Sequence, residues 1–319
     1  MDTPHTLQKA IVYFSDPDRC FEYAKHLRWP DGVVACPRCF SHEHSFISTR
    51  KIWFCKGCKK QFTIKVGTIF EDSPIGLDKW MCALWMLCNC KNGVSSYEVH
   101  RAIGVTQKTA WFMLHRLRML LHEDDETPLS GEVEMDETFI GGKAKNMHAA
   151  KRARLGSHLK NEPGAFKGKT IVVGMLERKG RVKANVVEAR TRIVLHQLAK
   201  DSIEPGSTVY TDEHHPYKGM RNFTHEVINH ADAYVRGSVH TNGIENFWSC
   251  LKRSLGGTYV SVEPFHLFRY IDEQSFRFNN RKNMDDKDRF ELAARNVAGK
   301  RLTYAALTNS LGTGSATSH

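Results

Sequence analysis

What the chain of 319 residues lacks narrows the field first. No apolar run approaches the roughly 18 residues needed to cross a bilayer. The most apolar stretch, Trp80 to Cys90, holds 11 residues and reads as a buried helix. The opening residues MDTPHTLQKA carry no basic-then-apolar signal pattern, so a cytoplasmic, nucleoid-associated protein with no membrane contact is expected. No internal repeat is present. Negative charge is also scarce: 35 Asp and Glu stand against 46 Lys and Arg, leaving a net charge of +11 and an isoelectric point near 9.2. Such an excess of cations points to a polyanionic partner. The rest of the composition, 41% apolar and 25% charged, is ordinary for a globular protein and excludes disorder as the dominant state. At roughly 150 residues per domain, there is room for about two domains and a small accessory module.

Nine cysteines are too few and too scattered for a disulfide scaffold in a chain of 319 residues, and the count is odd. Four of them form Cys36-Pro-Arg-Cys39 and Cys55-Lys-Gly-Cys58, with 15 residues between the pairs. Two such knuckles match the spacing of a four-cysteine zinc site, and a closed thiolate shell makes that zinc structural. A redox CxxC pair is the competing reading, and two pairs in register speak against it. Gly57 stands in the second knuckle, where a positive φ is expected to suit glycine. His42 and His44 lie between the knuckles and could replace a cysteine ligand, though four thiolates need no help. Residues 45–54 read as a hairpin and 61–66 as a further strand, which together make a zinc ribbon. Cys20, Cys82, Cys88, Cys90 and Cys250 read as small buried hydrophobes.

A helical region follows. Residues 74–92 form an amphipathic segment rich in Trp and Met. Ser95 to Glu98 offers a capping box into a short helix that ends near Ile103. Gly104 supplies a turn, Thr106 a second N-cap, and residues 107–121 a second helix. Helix, short Gly-containing turn and helix is a helix-turn-helix pattern, with Thr106, Gln107 and Lys108 at the start of the recognition helix. The same pattern occurs in helical bundles that bind nothing, so packing is the alternative. Acids and Pro128 then mark a linker.

Beyond the linker the periodicity turns to strands. Residues 132–141, 170–177 and 182–188 are β-rich, and Lys179-Gly180 joins the last two as a hairpin. A helix over 193–203, a strand over 207–212, a fifth strand over 226–229 and a long helix from near Asn242 complete the order expected of an RNase H-like α/β fold. Three acids fall in chemically telling places: Asp136 on the first strand, Asp212 at the end of the fourth, and Glu245 on the helix after the fifth, 76 and 33 positions apart. First and fourth strands are neighbours in such a sheet, so the carboxylates should converge and require divalent cations, two Mg²⁺ or Mn²⁺ ions, to neutralise them. The stretch from Lys143 to Lys169 holds eight Lys and Arg against one acid, Glu162, and is expected to be a flexible loop that orders on phosphate, with a plain solvated loop as the alternative. Residues 309–319 read as a disordered tail.

Several segments together resemble the DDE transposases of bacterial insertion sequences, in the zinc-ribbon-bearing group related to Merlin elements. They are CPRC and CKGC, Val66 to Phe70, Val133 to Lys143, Val209 to Asp212, His240 to Trp248, and Leu251 to Arg253. The resemblance runs from about Cys20 to Arg281. It implies that Asp136, Asp212 and Glu245 are a metal-binding catalytic triad acting on double-stranded DNA at transposon ends and targets, within a homodimer or larger synaptic complex. It further implies that Lys252, with Arg253 beside it, contacts terminal DNA. Asn242 lies three positions before Glu245 on the same helical face and is both a DNA-contacting residue and the other candidate for the third catalytic place. A regulator that binds DNA without cutting it, and a stand-alone nuclease of the same fold, are the competing readings. The expected domains are a zinc ribbon (1–72), a helix-turn-helix region (73–126), a catalytic domain (127–285) and a C-terminal helix with tail (286–319).

Overall fold

A computed structural model of the chain describes residues 3–123, 126–142, 168–213, 215–228 and 241–308. The basic stretch after Lys143, apart from 168 and 169, and the tail from 309 lie outside the described residues. The chain divides into two compact units, one built from residues 1–122 and 280–319, the other from 123–279.

The first unit opens with two helices that the hydrophobic pattern did not reveal, α1 (Leu7–Ser15) and α2 (Pro17–Arg28). Asp16 caps α2 by accepting from the amides of Asp18 and Arg19, and Pro17 fills the first helical position, where no donor is needed. The ribbon follows as an antiparallel sheet of β1 (His44–Ile47), β2 (Ile52–Cys55) and β3 (Gln61–Thr63). Its strands of three or four residues are too small to hold a core of their own. Trp53 supplies one by stacking on Phe62 of the ribbon and on Phe21 of α2, with ring centroids 5.6 and 5.7 Å apart.

Three helices complete this part: α3 (Leu77–Asn89), α4 (Ser96–Ile103) and α5 (Gln107–Arg118). Trp80, Met81, Leu84, Trp85, Leu87 and Cys88 of α3 are all buried, so its Trp and Met content is core. The capping box at Ser95 and Glu98 forms, and Gly104 ends α4 with φ of 63°, a left-handed value that favours glycine. Thr106 caps α5.

The second unit is a five-stranded sheet between helices. Its strands are β4 (Glu132–Ile140), β5 (Thr170–Glu177), β6 (Val182–Val187), β7 (Thr208–Asp212) and β8 (Thr224–Ile228), in the order β6-β5-β4-β7-β8. The first three pair antiparallel, while β7 runs parallel to β4 and β8 parallel to β7. Between β6 and β7 lies α6 (Arg192–Ser202), and after β8 come α7 (Asn242–Arg253) and α8 (Leu267–Asn279). Strand alternation feeds two cores. Val172 and Leu176 face Ile244, Phe247, Trp248 and Leu251 of α7 and Ile271 of α8. Val133, Met135, Val173, Met175 and Val209 face Leu195 and Ala199 of α6, along with Tyr217. The last strand begins earlier than the pattern over 226–229 indicates, at Thr224, because the parallel ladder with Thr208 starts there.

The chain then returns to the first unit with α9 (Asp286–Ala294) and α10 (Tyr304–Thr308). Phe290 of α9 packs on Phe14, Tyr23 and Trp85, and Ile69 and Gly67 exchange backbone hydrogen bonds with Val297 and Gly299. The terminal segment is therefore part of the N-terminal core.

Candidate functional site

Two constellations stand out, one in each unit. In the first, the Sγ atoms of Cys36, Cys39, Cys55 and Cys58 all lie within 4.8 Å of one another. The Cys36–Cys58 and Cys39–Cys55 separations are 3.8 and 3.5 Å. Thiolates bound tetrahedrally at about 2.3 Å from one ion sit about 3.8 Å apart, so the set fits zinc. Donation from the Cys58 and Gly57 amides pulls the Cys55 thiol down to about 6, toward the thiolate a metal requires. The backbone expectation for Gly57 fails. Its φ is not positive, and the left-handed positions fall one residue past each knuckle, at Phe40 (59°) and Lys59 (56°). Gly57 serves space instead, since a Cβ there would lie 3.1 Å from the Cβ of Ser41. Nor do His42 and His44 take part: His42 is exposed, and the His44 ring is 3.1 Å from the Val34 carbonyl. Among the remaining cysteines Cys20 and Cys88 are buried, while Cys82, Cys90 and Cys250 are half-buried.

At the turn between α4 and α5, the three sequence-derived contact residues have local partners. The Thr106 hydroxyl accepts from the Thr109 amide, the Gln107 amide donates to Ser96 Oγ at 2.8 Å, and Lys108 Nζ lies 4.9 Å above the Tyr304 ring. From Ala110 to Arg118, α5 is buried except at the half-buried Trp111 and Phe112. Its exposed surface is therefore its first turn, with Thr106 and Lys108, and not a full helical face.

In the second unit, β4 and β7 pair with Glu134 opposite Tyr210. The ladder ends at that pair, and Asp136 and Asp212 each stand two residues further along their strands, on the same face of the sheet as Glu134 and Tyr210 because side chains alternate. This face is the one α7 covers, and Trp248 of α7 donates from Nε1 to Asp136 Oδ2 at 2.9 Å. Opposite Asp136 on β5 stands Gly174, where a Cβ would lie 2.6 Å from the Trp248 ring. Glycine here lets the indole lie against the sheet and reach the carboxylate. Burial pushes the Asp136 carboxyl up to about 7, and the charges of Glu137 and Asp212 push it the same way. Hard oxygen donors under mutual repulsion suit a divalent cation such as Mg²⁺ or Mn²⁺.

Glu245 lies in the first turn of α7, exposed, and accepts from the Thr241 hydroxyl at 3.2 Å. The three carboxylates do not draw as close as the four thiols, which form the sole such cluster among the described residues. Asn242 is exposed at the first position of α7, one helical turn before Glu245. Lys252 and Arg253 are exposed in its last turn, about 10 Å further along the axis at 1.5 Å per residue. Lys252, seven residues on, shares the face of Glu245.

Beside these residues lie groups that sequence reasoning passed over. Glu134 is 1% exposed, accepts from the Ile244 amide at 2.9 Å, and pairs with Arg178 at 3.2 Å. Glu137 points to the other face, where it pairs with Arg190 at 3.2 Å and accepts from the Tyr217 hydroxyl. The signal was available in Glu134-Met-Asp-Glu137, three acids in one buried strand, where each needs a partner.

Residues 128–279 match the ISXO2-like transposase domain, and residues 15–61 match the transposase zinc-ribbon domain. The chain thus carries a domain of the ISXO2-like transposase type behind a transposase-type zinc ribbon. It is also similar to a protein of Halobacterium salinarum described as an uncharacterized protein in transposable element ISH50. The two are 27% identical over 255 residues, which is 77% of this chain and 85% of that protein. The transposase match ends at residue 279, where the second compact unit ends. Among the described residues, no helix of this transposase is long and apolar enough to cross a membrane.

Proposed function

We propose that this transposase binds the ends of its insertion element and cuts and joins DNA at Asp136, Asp212 and Glu245. The observation that supports this reading is the parallel pairing of the strands that bear Asp136 and Asp212, with Trp248 of the helix that bears Glu245 donating to Asp136. The strand order, with the first strand between the second and fourth, supports an RNase H-like catalytic fold. Two divalent cations, when bound, activate the attacking hydroxyl and neutralise the leaving oxygen of an in-line displacement.

The residues of the chain supply the rest. Asp136 and Asp212 offer oxygen ligands from a rigid sheet, and Trp248 orients Asp136 by its indole N–H. Glu245 adds a third carboxylate from the helix. Water is the first nucleophile: it forms a bond to phosphorus, the bond from phosphorus to the 3′ oxygen breaks, and the oxygen leaves as a 3′-OH. That 3′-OH then attacks a target phosphodiester: its oxygen bonds to phosphorus, the target's own P–O3′ bond breaks, and that oxygen leaves as a 3′-OH carrying the proton, so no side chain becomes linked to DNA. Lys252 and Arg253, on the exposed end of α7, are placed for terminal phosphates. The zinc ribbon and the first turn of α5, with Thr106, Gln107 and Lys108, read the end sequence, and Asn242 contacts DNA near the acids. Two ends must be held together, so the active form is a homodimer or larger synaptic complex.

The test separates binding from chemistry. D136N and D212N should each reduce Mn²⁺-dependent end cleavage below detection while end binding at fixed salt stays within about twofold. Cleavage by either variant at wild-type rate would overturn the assignment.

A further inference from the structure

Helix α7 carries Glu245 in its first turn, yet its own N-cap does not cap it. Thr241 makes no side-chain bond to the helix amides, and its hydroxyl donates to Glu245 instead. The first amides of a helix need acceptors, and a buried end without them is costly. Here the acceptor comes from another element: Glu134 Oε2, from the middle of β4, takes the Ile244 N–H at 2.9 Å. The other oxygen, Oε1, takes Arg178 Nε at 3.2 Å. Arg178 in turn reaches Glu132 at 3.4 Å and lies 4.0 Å over the Tyr210 ring. The Tyr210 hydroxyl closes the set on Glu132 at 2.7 Å.

The approach of helix to strand is close enough that only glycine fits at position 243. A Cβ there would lie 2.8 Å from Glu134 Oε2 and 2.5 Å from Leu176 Cδ2. Both neighbours are buried, so neither has room to move aside. Two residues along the same strand and on the same face stands Asp136.

We infer that Glu134 is a positioning residue that docks the N-terminus of α7 on β4 and thereby sets the reach of Glu245 toward Asp136 and Asp212. This rests on the metal-dependent reading above. Both partners of Glu134 are donors, so both of its oxygens must accept, which a carboxylate does and an amide cannot. Glutamine keeps the shape but must turn its NH₂ toward either Arg178 or Ile244. Leucine removes both acceptors. The carboxylate is not offered as a ligand or as a group that touches DNA.

The experiment measures Mn²⁺ binding to the full zinc-loaded chain by loss of the free-ion EPR signal, together with hydrogen exchange at the Ile244 amide. The variants are E134Q, E134L, G243A, E245Q and the double variant E134L/E245Q. E134L and G243A should weaken Mn²⁺ binding on the order of tenfold, the scale of groups that orient ligands, with E134Q between them and wild type. Ile244 should lose exchange protection in E134L. In the E245Q background, E134L should cost no further affinity, because Glu245 is what it positions.

A Glu134 that serves stability alone would lower the melting temperature and leave the Mn²⁺ affinity of the folded chain unchanged, which would overturn the inference. Additive losses in E134L/E245Q would overturn it too, by making Glu134 act independently of Glu245. Unaltered Ile244 protection in E134L would remove its geometric basis. If D136N binds Mn²⁺ as wild type does, the metal reading itself fails and takes this role with it. That failure shows in the Glu134-intact chain, so the two are distinguishable.

Discussion

The thiol cluster and the carboxylate set solve the same problem, gathering like ligands, in opposite ways. Four thiols gather within 4.8 Å from two knuckles only 15 residues apart, and each knuckle is a local turn. Thiols tolerate such closeness because binding of the metal and loss of their protons go together. The carboxylates come from elements 76 and 33 residues apart and stand further from one another. Their charges repel, so surrounding groups must hold them: Trp248 for Asp136, and Glu134 for the helix of Glu245. A soft thiol site is thus written into short sequence, whereas a hard carboxylate site depends on its supports.

Four tests would break or sharpen this contrast. The largest effect is expected at the ribbon. C36S, or removal of zinc by a chelator, should drop zinc content from one ion per chain to none. Because Trp53 lies in this sheet and stacks on Phe62, its fluorescence should report loss of ribbon structure while the thermal transition of the second unit persists. Full zinc retention by C36S would show that the knuckles do not act together.

Next in size, E245Q should lose nearly all cleavage, with N242A retaining activity within about tenfold on the scale of a supporting group. The reverse ranking would move the third catalytic place one helical turn, to Asn242. W248F should be milder, since it keeps most of the packing and removes only the N–H to Asp136. A loss of 10- to 100-fold in metal affinity is the expected scale for a ligand-orienting group. G174A should resemble it and also destabilise the unit by about 1–3 kcal/mol, because a methyl group is forced into the indole.

The smallest effect is one of pH. Burial pushes the Asp136 carboxyl of the folded chain up to about 7 from its ordinary value of 3.8, so between these values the folded state holds a proton that the unfolded state has released. Its contribution to stability is full below about pH 4 and is lost as pH rises through about 7. D136N should therefore flatten the decline in melting temperature between pH 5 and pH 8, and Mn²⁺ should do the same for wild type. An identical pH profile for D136N and wild type would place the titrating group elsewhere.

How much was legible in advance follows the range of the forces involved. The capping box at Ser95, the turn at Gly104 and the knuckle cysteines are local signals, and each lies where its spacing indicates. Helices α1 and α2 were not legible, because much of their burial faces partners such as Phe290 and Trp53, far away in sequence. For the same reason the C-terminal segment looked like an appendage and is part of the first core. Gly57 misled because a glycine in a turn suggests a positive φ, whereas crowding by Ser41 is what its position answers.

By itself, then, the sequence determined the zinc ligands, the short capped helices, the alternating strands and the elements on which Asp136, Asp212 and Glu245 reside. Those features depend on residues a few positions apart, where backbone geometry ties spacing to shape. Tertiary structure alone decided that Glu134 serves a helix 110 residues away, that Gly174 makes room for Trp248, and that Glu137 turns to the opposite face to meet Arg190 and Tyr217. A buried carboxylate must be satisfied by whatever donor packing brings to it, and no local pattern records which donor that will be.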